Sequence, residues 1–195
     1  MSATDFRLPA EWEPQAAVMI AWPHAGTDWA PRLAEVEATY VALAAAVARF
    51  EPLLVCVADA ALGARVENLL AAAGVDPQRL RLVELGYDDT WVRDSGPITL
   101  RDAGGHFRLL DFRFTGWGGK FDAARDDALV AGLSARGLFV GAAEHRRIDW
   151  ALEGGAIESD GAGTVLTTWR CLHQRHPQQD RAAMAAMLED SLGAG

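Results

Sequence analysis

Asp88-Asp89-Thr90-Trp91-Val92-Arg93-Asp94-Ser95-Gly96-Pro97 is the stretch on which the reading of this chain turns, because its acidic chemistry recurs at Glu153-Gly154-Gly155. Asp94 precedes Gly96 by two residues and leads into an expected strand at 97–100. Glu153 precedes Gly155 by two and leads into an expected strand at 156–159. Both strands run to turn residues, Asp102-Ala103-Gly104-Gly105 and Asp160-Gly161-Ala162-Gly163, followed by a return strand and an amphipathic helix. Carboxylates at equivalent points of two structural repeats can converge on one site. Three Asp, one Arg and one Trp within residues 88–94 are costly for a purely structural loop, since buried carboxylates must be paired or neutralised. Carboxylates beside an indole face suit a planar cation such as a guanidinium, which needs paired acceptors for its fork of N–H donors and an apolar wall to stack on. Taken singly, the same residues also have plain readings: Asp94 as a turn brace, Arg93 as the ion-pair partner of Glu153 or Asp88, the glycines as turn formers.

Composition narrows the partners. Half of the 195 residues are hydrophobic, enough for a sizeable core. Eighteen basic residues against 27 acidic ones give a net charge of −9, which disfavours nucleic acid or an anionic membrane and favours a small cationic ligand. No stretch reaches eighteen apolar residues, and no basic segment leads into an apolar run near Met1, so the cytoplasm is the expected compartment. Two cysteines, Cys56 in a buried strand and Cys171 after another, do not make a disulfide scaffold.

Strands and helices alternate along the chain. Strands are expected at 17–22, 53–58 and 80–85. A helix is expected at 31–50, capped by Thr27 or Asp28 with Pro31 in its first turn, and another at 60–73, stopped by Gly74. Beyond the acidic stretch, 107–114 alternates into the loop Thr115-Gly116-Trp117-Gly118-Gly119-Lys120. Then come a helix at 122–136, a short strand at 138–140, the Glu153 hairpin and a last helix from Pro177 to Leu192, with Ala183, Met184, Met187 and Leu188 on one face. The recurring unit, strand, strand and helix, spans about 55–60 residues and suggests a radial or solenoid-like α/β repeat rather than a doubly wound sheet.

These residues carry a resemblance. The 88–97 stretch, Gly116-Trp117-Gly118-Gly119-Lys120, Glu153-Gly154-Gly155-Ala156-Ile157-Glu158, the opening Pro9-Ala10-Glu11-Trp12-Glu13-Pro14-Gln15 and Ala21-Trp22-Pro23-His24 resemble the agmatine deiminase and bacterial peptidylarginine deiminase branch of the guanidino-group-modifying enzymes. The resemblance implies a five-bladed α/β propeller (the pentein fold), of which residues 1–195 would be a single incomplete domain holding the N-terminal blades. It implies a cytoplasmic hydrolase of polyamine metabolism that converts agmatine to N-carbamoylputrescine and ammonia without metal or organic cofactor. In that chemistry a thiolate attacks the guanidinium carbon, ammonia leaves, and water releases the ureido product from the covalent adduct. The resemblance places Asp94 and Glu153 among the catalytic, guanidinium-holding carboxylates and Trp91 on the substrate channel, with Asp88, Asp89 and Trp117 as further substrate-binding residues. It assigns the nucleophilic Cys and a His-x-Asp to later blades, so this chain alone is expected to be inactive and to self-associate through the open propeller.

Cys171-Leu172-His173-Gln174-Arg175-His176 superficially offers a Cys/His pair or a metal cluster. The resemblance places it at a strand end, away from the nucleophile, and three ligands leave a zinc site one short. Arg175-His176-Pro177 departs from the family's Arg-Asn-Pro. His24 reads as a turn residue or a rim residue of the site. Two other functions stay open: a non-catalytic guanidinium or cation-binding module, and a divalent-metal hydrolase built on Asp88, Asp89, Asp94 and Glu153. A peptidylarginine substrate would need an Arg for its α-carboxylate end, with Arg93 and Arg113 as candidates, whereas agmatine would not.

Overall fold

A computed structural model of the chain describes residues 6–139 and 143–193. In chain order the elements are β1 (Phe6–Arg7), β2 (Val18–Ala21), α1 (Leu33–Ala48), β3 (Leu53–Val57), α2 (Ala60–Ala72), β4 (Leu80–Glu84), the helical turn α3 (Val92–Ser95), β5 (Ile98–Asp102) and β6 (Phe107–Arg113). There follow the glycine-rich turn α4 (Gly116–Gly119), α5 (Ala124–Asp127), α6 (Leu129–Ala135), β7 (Ala143–Ala151), β8 (Ile157–Ser159), β9 (Val165–Thr167), α7 (Trp169–Arg175) and α8 (Arg181–Leu192). The chain divides into two compact units. One comprises Pro14–Val92 with Ala123–Leu129; the other comprises Met1–Glu13, Arg93–Asp122 and Val130–Gly195.

The first unit is a βαβαβ arrangement with three parallel strands in the order β2-β3-β4. Its central strand, Leu53-Leu54-Val55-Cys56-Val57, is an uninterrupted apolar run, as a strand covered on both faces requires. Trp22, Leu53, Val55, Val66 and Leu70 form its core, and Cys56 is buried as expected. Asp59 caps α2 by accepting the Leu62 N–H at 2.8 Å. Gly74, at φ +78°, ends that helix, and the Val75 N–H returns to the Leu70 carbonyl. The expected cap of α1 is absent. Thr27 donates its hydroxyl to the His24 carbonyl instead, and the chain enters α1 through a 3-10 turn, Ala30–Arg32, with Pro31 inside it.

The second unit holds a four-stranded sheet, β1-β5-β6-β7, in which β6 and β7 are parallel and the other pairs antiparallel, together with the hairpin β8-β9. Ile98, Leu110, Phe112, Trp150, Ile157, Met184 and Leu188 lie in its core. The two hairpins repeat each other in detail. Strands begin at Ile98 and Ile157, each four residues after its carboxylate, Asp94 or Glu153. Each hairpin then turns on an aspartate: Asp102 Oδ1 accepts the His106 N–H at 2.8 Å and Asp160 Oδ1 the Thr164 N–H at 3.0 Å. Gly105 and Gly163, three residues past those aspartates, take positive φ. The strand-strand-helix repeat thus describes the hairpins, whereas the first unit uses parallel strands. Among the described residues the sheets are open and none closes on itself.

Three expectations need correction here. The strand expected at 138–140 is not formed at Leu138 and Phe139, residue 140 lying outside the described residues; the strand of this region is β7, whose Ile148 and Trp150 alternate inward. The single helix expected at 122–136 is two short ones, with Asp126 of α5 turned inside. Cys171 follows no strand directly: it lies in α7, capped by Thr168, a helix too short and too exposed to show periodicity. The last helix begins at Arg181, capped by Asp180, and keeps Met184 and Leu188 buried.

Leu110, fully buried on β6, anchors the second unit. Leu110→Ala is expected to cost about 2–5 kcal/mol of unfolding free energy, read as a lower denaturation midpoint with an unchanged slope.

Candidate active site

The second unit brings Asp94, Glu153 and Trp117 into one network. Asp94 is half-buried at the end of the α3 turn, and Oδ1 accepts the Gly155 N–H at 2.9 Å while Oδ2 accepts the Trp117 indole N–H at 3.0 Å. This approach has no room for side chains on the partner segment. A Cβ on Gly154 would collide with the Arg93 carbonyl oxygen, and one on Gly155 with Asp94 Oδ1. Trp117 reaches Asp94 from a left-handed conformation, φ 57° and ψ 42°, which costs a non-glycine residue about 1–2 kcal/mol. Thr115 holds that turn, its hydroxyl accepting the Gly118 N–H at 3.0 Å and its carbonyl the Gly119 N–H at 2.7 Å. Phe114 and Phe121 pack edge-on to the indole, at 5.2 Å and 5.7 Å.

Glu153 is buried and does not stand free. Arg175 Nε donates to its Oε1 at 2.6 Å, and both side chains are less than a tenth exposed. The sequence reading missed this partner; the only trace of it was the motif Arg175-His176-Pro177. Arg93 pairs with neither Glu153 nor Asp88 but with Glu11, and Arg113 pairs with Asp149 at 3.1 Å. His176 donates from Nε2 to the Ala151 carbonyl at 2.8 Å and stacks on Trp150 at 4.1 Å. His173 stacks on Trp169. The histidines of this segment therefore pack against separate aromatic rings, and among the described residues no hydrogen bond joins either to Cys171.

Asp88, Asp89 and Trp91 belong to the first unit. Asp88 Oδ2 accepts the Arg125 N–H at 2.8 Å, and Asp126, buried, accepts the Asp88 and Asp89 N–H groups at 2.8 and 3.3 Å. Burial pushes the Asp126 carboxyl up to about 6 against the pull of those two N–H groups, and the charges of Asp88 and Asp89 add to the rise. Asp89 is also raised, chiefly by burial, and its Oδ1 accepts the Thr90 N–H at 2.8 Å. Trp91 is half exposed, with Trp29 5.9 Å away, and Trp29 donates its indole N–H to Thr90 Oγ1 at 2.8 Å. Asp88 and Asp89 thus brace the loop that carries Trp91. Sequence reasoning missed Asp126, which fell without distinction inside the single helix expected at 122–136. His24 closes a turn, its Nδ1 accepting the Gly26 N–H at 3.0 Å, and sits edge-on to Tyr87. Burial lowers its pKa.

The network can accept more than it now holds. An ionised carboxylate has about four lone-pair directions; Asp94 uses two and Glu153 one. The donors on Asp94 are uncharged, and among the described residues no arginine, lysine or histidine pairs with it, whereas Glu153 faces Arg175. Among the described residues no group of three or more His, Cys, Asp or Glu could hold a metal ion, and no helix is long and apolar enough to cross a membrane.

The sequence profile of the Porphyromonas-type peptidyl-arginine deiminases matches residues 7–195. The chain belongs to that family. It is 38% identical over 196 residues to the agmatine deiminase of Stutzerimonas stutzeri, covering 96% of this chain and 50% of that protein. It is likewise 38% identical over 200 residues to that of Pseudomonas aeruginosa, covering 97% and 51%. Its fold matches the agmatine deiminase of Enterococcus faecalis with a TM-score of 0.85 at 31% identity, over 98% of this chain and 52% of the other. A substrate-bound agmatine deiminase of C. jejuni matches at 0.84 and 27% identity, over 97% and 54%. The α/β fold is therefore that of the family, and the chain spans about half the length of the curated relatives it matches.

Gly155→Ala is expected to break the Asp94 contact and cost about 1–3 kcal/mol, the scale of forced overpacking. Gly86→Ala is the control, since a Cβ there would sit 3.7 Å from Arg125 in ordinary contact; it should change stability by no more than about 0.5 kcal/mol. Urea denaturation of both variants makes the comparison.

Proposed function

We propose that this chain supplies the guanidinium-binding half of an agmatine deiminase-type hydrolase, acting on the guanidinium C–N bond of agmatine. The observation that carries the reading is the pair of carboxylates, Asp94 and Glu153, each four residues ahead of a hairpin strand and each with acceptor capacity left. A guanidinium is planar and presents up to five N–H donors on a fork, the complement of two carboxylates with unused lone pairs. The turn of Trp117 fits the same role by orienting Asp94, and the resemblance to the family assigns the stacking wall to Trp91. Asp88 and Asp89, which the resemblance counts among the substrate-binding residues, fix the Trp91 loop within their own unit.

The rest of the enzyme belongs to the same reading. The chain forms blades of a five-bladed propeller, in the cytoplasm, and the thiolate that attacks the guanidinium carbon lies in the half of the relatives that this sequence does not span. Cys171, on α7, is not that nucleophile. The residues present bind and orient the cation; ammonia release needs the complementary half. The open edge of β9, with Leu166 and Trp169 exposed nearby, is where self-association of the isolated chain would begin. Relatives named agmatine deiminase support agmatine over peptidylarginine, and the engagement of Arg93 and Arg113 with Glu11 and Asp149 agrees with a ligand lacking an α-carboxylate.

Residues 1–195 are expected to release no ammonia from agmatine, and to bind agmatine more tightly than putrescine in a calorimetric titration. Asp94→Asn should weaken that binding by about 1.5–3 kcal/mol, the range for a hydrogen bond to a charged group, and should also lower the melting temperature, because an amide has one acceptor oxygen for the two N–H donors that Asp94 meets. Equal affinity for agmatine and putrescine, or turnover that Cys171→Ala removes, would overturn the reading.

A further inference from the structure

Glu153 differs from Asp94 in being held by a cation that the chain itself provides. The segment that carries it is gripped by residues 175–179 at four points: Arg175 on its carboxylate, His176 on the Ala151 carbonyl, the stack of His176 on Trp150, and Gln179 Oε1 accepting the Trp150 indole N–H at 3.1 Å. The Arg175 guanidinium in turn lies against the turn that presents Trp117 to Asp94, because a Cβ on Gly118 would come within 2.9 Å of Arg175 Nη1. Gly118 has φ +87° and packs there as bare backbone. One side chain, Arg175, therefore touches both halves of the carboxylate network. Its Nε is bonded to Oε1 alone, a single contact where a fork-to-fork pair would occupy both oxygens.

We infer that Arg175 is a positioning residue, whose guanidinium holds Glu153 charged and turned so that its second oxygen meets the incoming guanidinium. This deepens the proposed function and rests on it for the identity of the ligand. The physical case is that a carboxylate less than a tenth exposed is poorly solvated and would tend toward its neutral form without a cation beside it. A neutral Glu153 would present a hydroxyl instead of an acceptor. An arginine suits the task because it stays protonated at any working pH and its planar N–H groups fix the carboxylate plane. Among the described residues no other arginine, lysine or histidine pairs with Glu153.

The test compares wild type, Arg175→Ala and Arg175→Lys of residues 1–195 by agmatine titration across pH 6–9, and by thermal melting with and without millimolar guanidinium chloride. Arg175→Ala should bind agmatine at least about tenfold more weakly at neutral pH. Its affinity should climb with pH more steeply than that of wild type, because a buried carboxylate that has lost the cation beside it favours the neutral form. Guanidinium should raise the melting temperature of Arg175→Ala more than that of wild type, because the variant offers it a further place beside Glu153, with sodium and tetramethylammonium chloride as ineffective controls. Should Arg175→Ala not fold, Arg175→Lys carries the test through affinity: an ammonium keeps the charge without the Nε geometry, so agmatine binding should weaken with a flat pH profile, and unweakened binding overturns the positioning role. For Arg175→Ala, affinity within twofold of wild type with a pH profile no steeper, or melting no more responsive to guanidinium than that of wild type, overturns the assignment. Wild type that ignores agmatine, with guanidinium rescue intact, instead overturns the proposed ligand and leaves Arg175 as the partner of Glu153.

Discussion

Asp94 can accept the Gly155 N–H because the segment opposite it has no Cβ at either residue 154 or residue 155. That steric allowance joins the entry points of two hairpins that lie far apart in sequence. Without it, the Arg93 carbonyl and the Asp94 carboxylate would be pushed off the Glu153 segment, and the two acids would no longer share a network. The glycines are there for approach rather than flexibility, since neither has a positive φ.

Electrostatics then gives the two carboxylates different tasks. Asp94 is met by neutral donors, which under the proposed function leaves its charge to the ligand. Glu153 is met by Arg175, and burial of both makes each dependent on the other: the loss of one member of a buried pair costs far more than the pair itself contributes. The strained Trp117 conformation fits the same scheme. A non-glycine residue in the left-handed region persists where its surroundings over-determine it, and here Thr115, Phe114 and Phe121 supply that constraint while the indole N–H supplies its use.

Much of this was legible in the residues. The hairpins were readable because Asp102-Ala103-Gly104-Gly105 and Asp160-Gly161-Ala162-Gly163 are turn chemistry, and the structure shows the two aspartates making the same bond at the same offset. The placement of Asp94 and Glu153 ahead of equivalent strands was readable from the glycines. Strand β7 was missed because Glu144, His145, Arg146 and Arg147 hide its alternation, which begins only at Ile148. Helix α7 was missed because it is seven residues long with one buried side chain, Leu172. The partner of Glu153 and the brace from Asp126 were not legible at all. Both depend on tertiary contacts across 22 and 37–38 residues, and an arginine or aspartate on an exposed helix looks the same in sequence whether it turns inward or to water.

The most direct measurement is a crystal structure of this chain grown with agmatine. The account predicts the guanidinium group in hydrogen-bond contact with both Asp94 and the second oxygen of Glu153, with Arg175 still on Oε1. Agmatine bound elsewhere, or Glu153 closed off by Arg175 on both oxygens while agmatine is present, would contradict it.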